Sequence, residues 1–476
     1  ESGEAARGKK MTPEILDADL CPLVLSSAAF GACERLSLPW LTPPAASAWD
    51  QASGLLKELG ALDASGRLTP KGEAMAAIPM HPRLANMLLG SPDPATASIL
   101  AAIIEEKGSA RETDIRRIMD EVKETPGRPY SRRILELARR FARMAGNPAN
   151  VRQKYLSEGA MLAFAYPDRI AKNRGNGTFR MVSGRGAMLE REDALAKSPY
   201  IVCCNLDDRL GDARVFLCAP IDEDEIFALF GENVREECVC EWDKREERVR
   251  CAKRKLLGAM LLEEVPSPED AKTRQEDVWN ALAQGIRAKG VENLPNWTKS
   301  SLQLRERLRF LSRHLGWNDP DDEAVIAHME GFAQGIMRWK DLEKVDMCAV
   351  LECFLSDAGH DRRELERLAP ERMEVPTGSH MLIHYDGAEP TVEVRLQECF
   401  GLMETPKLAG GKVPIVMTLL SPAHRPIQIT KDLAGFWREG YALVRKDMRG
   451  RYPKHYWPED PFTAVATRKT AAGTRK

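Results

Sequence analysis

Between Arg169 and Arg191 the chain places six cations, Arg169, Lys172, Arg174, Arg180, Arg185 and Arg191, against one acid, Glu190. That net charge of +5 in a short run suits a polyanion, because each cation that neutralises a phosphate releases a counterion. Gly175, Gly177, Gly184 and Gly186 are interleaved, and glycine lets a backbone come close to a phosphate. Phe179 stands in the middle, where an aromatic ring can stack on a base. Two readings fit. One is a single-strand groove on a β-barrel, with Arg169, Lys172, Arg174, Phe179, Arg180 and Arg185 as the contacts. The other is a solvated loop beside a first strand, with Phe179 turned into the core.

A second basic run spans Lys431 to Lys476, with eleven cations and five acids for a net +6. Within it, RGRYPKHYWPEDP gathers Arg449, Arg451 and Lys454 with Tyr452, Tyr456 and Trp457, and its prolines keep the backbone extended. Such a strip can track a sugar-phosphate backbone. It can equally strap the last helix to another domain, with the rings as anchors. Near the N-terminus Arg67 and Arg83 are the evident cations, too few for groove binding, so a scaffold role is expected there.

Several chemistries are excluded by what is missing. No GxxxxGK[ST] phosphate loop occurs, and TPKGEAM lacks both the glycine loop and the lysine that follows it. No DExH stretch is present to hold magnesium. The acidic Asp222–Glu225 reads as a helix N-terminus, where acids complement the dipole. His380 and His384 lie in an apolar, strand-like segment that places them two pleats apart rather than together around a metal. The 11 cysteines form no CxxC pair and read as free thiols in a reducing cytosol. No nucleophile–base constellation is evident, so no catalytic residue and no metal site is assigned.

These candidates must be held by a chain of 476 residues, long enough for three or four domains. It is 43% hydrophobic and 29% charged, with a formal net charge of -2, so any polyanion site is a local patch. No apolar stretch approaches the roughly 20 residues that span a bilayer, and no signal peptide is evident. Apolar spacings of three and four predict helix from Pro13 to about Phe30 and from about Ser47 to Leu59, stopped by Gly60. ALDASGRLT predicts a small hairpin, and Thr69-Pro70 a new helix start. Helices followed by a two-stranded wing suggest a winged helix over 1–80. Helical patterns over 81–165 predict a bundle. From 166 to 266, glycines and the runs PYIVCCNL, ARVFLCAPI, REECVCEW and RVRCAKRKLLGAMLLEEV, with a helix near Asp224–Phe230, fit a five-stranded OB-fold-like barrel. Residues 267–375 return to helix. Residues 376–465 mix strands with a helix from about Leu433 to Met448, and 466–476 form a basic tail. The expected class is multidomain α+β.

Several strings resemble one family. DADLCPLVL and LPWLTPPAASAWDQASGLLKELGALDASGRLTPKGEAMAAIPMHPRLANMLL are similar to the winged-helix and ratchet region of DEAH-box helicases. AYPDRIAKNRG, GRGAML, ALAKSPYIVCCNLDD and the long EVRLQECFGLMETPKLAGGKVPIVMTLLSPAHRPIQITKDLAGFWREGYALVRKDMRGRYPKHYWPEDP resemble the bacterial HrpB type of ATP-dependent RNA helicase. The resemblance covers about residues 12–465 and is looser over 275–375. It implies a ratchet-like bundle, and an RNA channel closed on one side by these accessory domains. It also implies two RecA-like motor domains of the same protein that bind ATP and magnesium and would precede this region. The chain is therefore expected to be a truncated C-terminal accessory region that binds single-stranded RNA or DNA, has no cofactor of its own and does not catalyse alone. On this picture Arg83 is a channel or interdomain residue, as are Arg449, Arg451 and Lys454. A protein partner at the barrel is a further expectation. An independent nucleic-acid-binding or adaptor module is the alternative.

Overall fold

Thr69 and Pro70 start a helix as their types dictate. In a computed structural model that describes residues 13–106, 112–145, 155–207 and 211–469, the Thr69 hydroxyl accepts the Gly72 N–H at 3.0 Å and Pro70 opens the helix. The chain divides into two units, residues 1–237 with 253–265, and residues 238–252 with 266–476.

The first unit begins with α1 (Cys21–Ala29), α2 (Ala46–Glu58) and α3 (Pro70–Ala76). They close over Leu20, Val24, Trp49, Leu56, Leu59 and Met75. The helix expected from Pro13 is broken. A 3-10 turn spans Glu14–Leu16, and Asp19 then accepts the Cys21 N–H at 2.8 Å to start α1. The expected hairpin is reduced to one bridge, Leu62 to Leu68, around a turn at Gly66. Helices α4 (Pro82–Gly90), α5 (Pro94–Glu105), α6 (Ile115–Glu124), α7 (Pro129–Ala145) and α8 (Glu158–Ala165) follow, as the helical pattern predicts. Their apolar faces share one core with barrel residues such as Ile170, Val202 and Ala219, and with Leu257, Met260 and Leu262 beyond the barrel. Helix α8 passes close to the barrel backbone. A Cβ on Gly159 would lie 1.9 Å from the Pro220 carbonyl oxygen, so this crossing requires glycine.

Strands β1 (Ile170–Gly175), β2 (Thr178–Met181), β3 (Gly186–Met188), β4 (Tyr200–Leu206) and β5 (Ala213–Pro220) form a closed barrel of order β1-β2-β3-β5-β4. β1 pairs antiparallel with both β2 and β4, and β3 runs parallel to β5. The barrel is thus complete by Pro220, and the expectation that it extends to 266 is corrected. With every edge paired, no position remains for REECVCEW or RVRCAKRK. Those runs form β6 (Val234–Asp243) and β7 (Arg248–Leu257), which join β8 (Met260–Pro266) in a separate three-stranded sheet. Between them and the barrel lies α9 (Glu223–Phe230), which opens at Asp222 as the acid run predicts.

The second unit carries α10 (Gln275–Lys289), α11 (Lys299–Leu315), α12 (Asp322–Met329), α13 (Met347–Asp357) and α14 (Arg362–Leu368). Gly290, Gly316 and Gly359 adopt positive φ near the helix ends, as expected. Strands β9 (Arg372–Glu374), β10 (His380–His384), β11 (Thr391–Arg395), β14 (Val416–Leu420) and β15 (Pro426–Thr430) make a sheet of order β15-β14-β11-β10-β9, with β12 (Lys407–Leu408) and β13 (Val413–Pro414) as a small pair. The final helical stretch is α15 (Leu433–Gly435), a π-turn Phe436–Gly440 and α16 (Tyr441–Arg451). One apolar core runs through this unit, from Val249 to Trp457. Cys240 and Cys251 form a disulfide there, where the sequence suggests only free thiols, because neighbouring strands bring their Cα atoms to 4.1 Å. Cys203, Cys204, Cys218 and Cys399 are buried thiols, and burial pushes Cys203 up to about 12.

Candidate nucleic-acid interface

Strand alternation decides which barrel residues face outward. In β1, Ala171 is buried and Lys172 half-exposed; in β2, Phe179 and Met181 are buried and Arg180 is exposed. The antiparallel register sets Lys172 opposite Arg180 and Asn173 opposite Phe179. Two predicted cations are thereby cross-strand neighbours on the outer wall, where like charges repel. Lys172 relieves this by donating its Nζ to the Leu262 carbonyl at 2.6 Å. Arg180 has no ion-pair partner among the described residues and remains exposed.

Arg174 lies two residues further along β1 and meets Asp212 at 2.9 Å. This pair sits over Gly186, where a Cβ would fall 1.7 Å from Asp212 Oδ1 and 3.2 Å from an Arg174 nitrogen. A side chain at this position of β3 would have to displace this exposed pair. Half-buried Arg185, the preceding residue, donates to the Asp207 carbonyl at 3.1 Å. Lys172, Arg174, Arg180 and Arg185 thus gather around the β1–β2–β3 wall. Arg169 stands apart, in the turn before β1. It donates to the Cys204 carbonyl at 3.2 Å, and its guanidinium lies 5.1 Å from the centre of the Tyr166 ring.

Phe179 does not belong to this surface. It is 0% exposed and packs with Met181, Ala187, Leu189 and Ile201 inside the barrel. Its proposed stacking on a base is corrected, because neither ring face is open. The outward aromatic is Phe216 on β5, 46% exposed, with the Arg214 guanidinium 5.6 Å from its centre. Arg214 pairs in register with exposed Met188 and also meets Glu190 at 2.5 Å. The alternation in ARVFLCAP, with Val215 and Leu217 on one face and Arg214 and Phe216 on the other, carried this signal.

Arg83 is 6% exposed and wholly engaged. Its two terminal nitrogens grip the Asp168 carboxylate at 2.6 and 3.0 Å, and one also donates to the Ala165 carbonyl at 3.0 Å. This bidentate fork joins α4 to the turn that enters the barrel. His81 caps α4 by accepting the Arg83 N–H at 3.2 Å and meets Asp19 at 3.1 Å.

Of the second basic run, the structure describes residues through 469; 470–476 of the expected tail lie outside the described residues. The rings turn inward. Trp457 is buried and donates to the Tyr452 carbonyl at 3.0 Å, and Tyr456 packs 6.1 Å from Phe400. Tyr441 donates its hydroxyl to the Pro458 carbonyl at 2.9 Å, and Gln397 donates to the Tyr456 carbonyl at 2.9 Å. The segment is thus strapped to its own unit, which corrects the expectation of a strap to another domain. Arg449, Arg451 and Lys454 remain on the outside, with Arg451 3.0 Å from Asp447. His380 and His384 are both exposed on strand β10, and no three His, Cys, Asp or Glu residues gather as metal ligands among the described residues.

Comparison with known proteins bears on the family of the chain. Residues 328–461 match the family model HrpB_C, described as "ATP-dependent helicase C-terminal". Residues 54–80 match the "Helicase associated domain (HA2), winged-helix". The chain is 35% identical to "ATP-dependent RNA helicase HrpB" of Escherichia coli (strain K12), over 96% of this chain and 56% of that protein. A shorter segment, 17% of this chain, is 40% identical to 11% of the human "Probable ATP-dependent RNA helicase DHX35". Among solved structures, "Crystal structure of E. coli DExH-box NTPase HrpB" covers 97% of this chain and 57% of that one at 33% identity, with a TM-score of 0.48. The chain thus spans a little over half the length of these full-length bacterial relatives. No described helix is long and apolar enough to cross a membrane.

Proposed function

Because the chain belongs to the HrpB-type helicase family, we propose that it acts as the accessory, nucleic-acid-guiding region of an ATP-dependent RNA helicase. Single-stranded RNA or DNA runs along the β1–β2–β3 wall of the barrel, held by phosphate contacts to Arg180, Lys172, Arg174 and Arg185. ATP and magnesium belong to RecA-like motor domains of the same protein, and the described residues offer no carboxylate cluster that fits the metal. The strand order β1-β2-β3-β5-β4 with a parallel β3–β5 pair supports an OB-type barrel. The bundle of α4–α8 then takes the ratchet-like place.

The observation that carries this reading is the cross-strand pair of Lys172 and Arg180 on the outer wall, with Arg180 uncommitted. Like charges facing outward from neighbouring strands are stabilised by a polyanion. Base contacts, in place of Phe179, fall to Phe216.

The test is fluorescence anisotropy of the chain with labelled single-stranded RNA, and with single-stranded DNA, across a salt series. Arg180→Ala should weaken binding and flatten the logarithmic salt slope by about 0.7. An unchanged slope in Arg180→Ala and Lys172→Ala together places the strand elsewhere.

A further inference from the structure

A cleft of about 370 Å3 opens in the first unit, within the roughly 300–1,000 Å3 typical of small-molecule sites. Five helices and two strands line it, the second strand being β7 through Leu257. α2 contributes Glu58, α3 Lys71, α4 Asn86, α8 Phe164, α9 Phe230 and β6 Arg235. The barrel wall described above is not among them.

Asn86 is the informative residue. It is 4% exposed, and its side-chain nitrogen donates to the Phe164 carbonyl at 2.7 Å. A carbonyl can only accept, so this bond fixes the amide orientation and identifies the other atom as oxygen. That Oδ1 is buried and has no partner. Buried amide oxygens are rarely left so, and a ligand N–H would satisfy this one. Phe164 and Phe230 are half-buried, which gives an apolar wall for a flat ring. Lys71 and Arg235 are exposed and form no ion pair among the described residues. Desolvation by the wall pulls the Lys71 ammonium below its ordinary range, a loss that a bound anion would reverse. Glu58 offers an acceptor for hydroxyl groups.

We infer that this cleft binds a ligand of mononucleotide type. A planar ring rests against Phe164 and Phe230 and donates an N–H to Asn86 Oδ1. Its sugar hydroxyls meet Glu58, and its phosphate meets Lys71 and Arg235. The same chemistry is offered by a free nucleoside monophosphate and by the terminal nucleotide of a strand.

The experiment is isothermal titration of the chain with adenosine, guanosine, cytidine and uridine 5′-monophosphates, with the matching nucleosides, and with a short 5′-phosphorylated RNA. At least one monophosphate is expected to bind more tightly than its nucleoside. Lys71→Met, an exposed change that leaves the fold alone, should weaken the monophosphate about tenfold and leave the nucleoside unchanged. Asn86→Leu should weaken both, with its melting curve recorded to confirm folding. Binding confined to the phosphorylated RNA, with the same sensitivity to Lys71→Met, identifies a strand end as the ligand. Absence of binding by every probe overturns the inference, as does binding indifferent to both Lys71→Met and Arg235→Ala.

Discussion

Arg180 and Arg83 have the same side chain and opposite situations, and burial with partnership separates them. Arg180 is exposed and uncommitted, so its removal should cost RNA affinity and leave stability within about 0.5 kcal/mol, as for surface changes generally. Arg83 is 6% exposed and its fork is occupied by Asp168. Arg83→Ala strands a partly buried carboxylate and should destabilise the first unit by about 3–5 kcal/mol, read from the urea midpoint. Arg83→Lys should rescue only part of this, because an ammonium cannot reproduce the two-point grip. A loss below 1 kcal/mol in Arg83→Ala would refute the structural role. Sequence alone left both roles open for Arg83, since its motif HPRLA says nothing of where Asp168 lies. It likewise left Phe179 undecided, because a β-strand of four residues gives too few alternations to show which face is inside.

Helix starts and strand closures show the same division between what is local and what is not. The Thr69-Pro70 cap and the glycine stops at 290, 316 and 359 were legible because their chemistry is complete within a few residues. The break at Asp19 was missed, because the apolar spacing continues through it while the polar contacts that start α1 come partly from His81. That contact has a pH signature. The hydrogen bond to His81 holds the Asp19 carboxyl well below the usual carboxylate range. A group depressed in the folded state contributes stability above its unfolded value of about 3.9 and loses it as pH falls below that. Asp19 is more than half exposed, so the contribution is screened and modest. Asp19→Asn should therefore lower the melting point at pH 6 slightly and make it less acid-sensitive between pH 5 and 3, with thermal scans across that range as the check. Equal acid limbs in the two proteins would discount the contact. At the α8–β5 crossing, Gly159→Ala drives a methyl to 1.9 Å from the Pro220 carbonyl, and overpacking of this kind costs about 1–3 kcal/mol. The urea midpoint should fall accordingly.

The order of parts along the whole chain was readable, helices, then strands, then helices and a mixed sheet, because periodicity reports each element by itself. The extent of each part was not. Barrel closure depends on β1 pairing with both β2 and β4, and no property of residues 234–266 announces that the edges are already taken. Nor does it announce that the chain returns to the first unit at 253–265 after leaving it at 238. A boundary drawn at residue 237 therefore cuts through a core. Leu257, Met260 and Leu262, at 5%, 0% and 3% exposure, belong to the same apolar cluster as Leu100, Ile134 and Leu162. Full burial of such side chains is worth about 1.5–3 kcal/mol each, and a domain has only about 5–15 kcal/mol of net stability. A fragment of residues 13–237 should thus melt far lower than one of residues 13–266, or fail to show a cooperative transition by circular dichroism and calorimetry. The longer fragment also keeps Gly258, whose carbonyl accepts from Arg235, so it should retain the order of that strand as well. If both fragments melted together, residues 253–265 would be a passive crossing, and the first unit would end at residue 237.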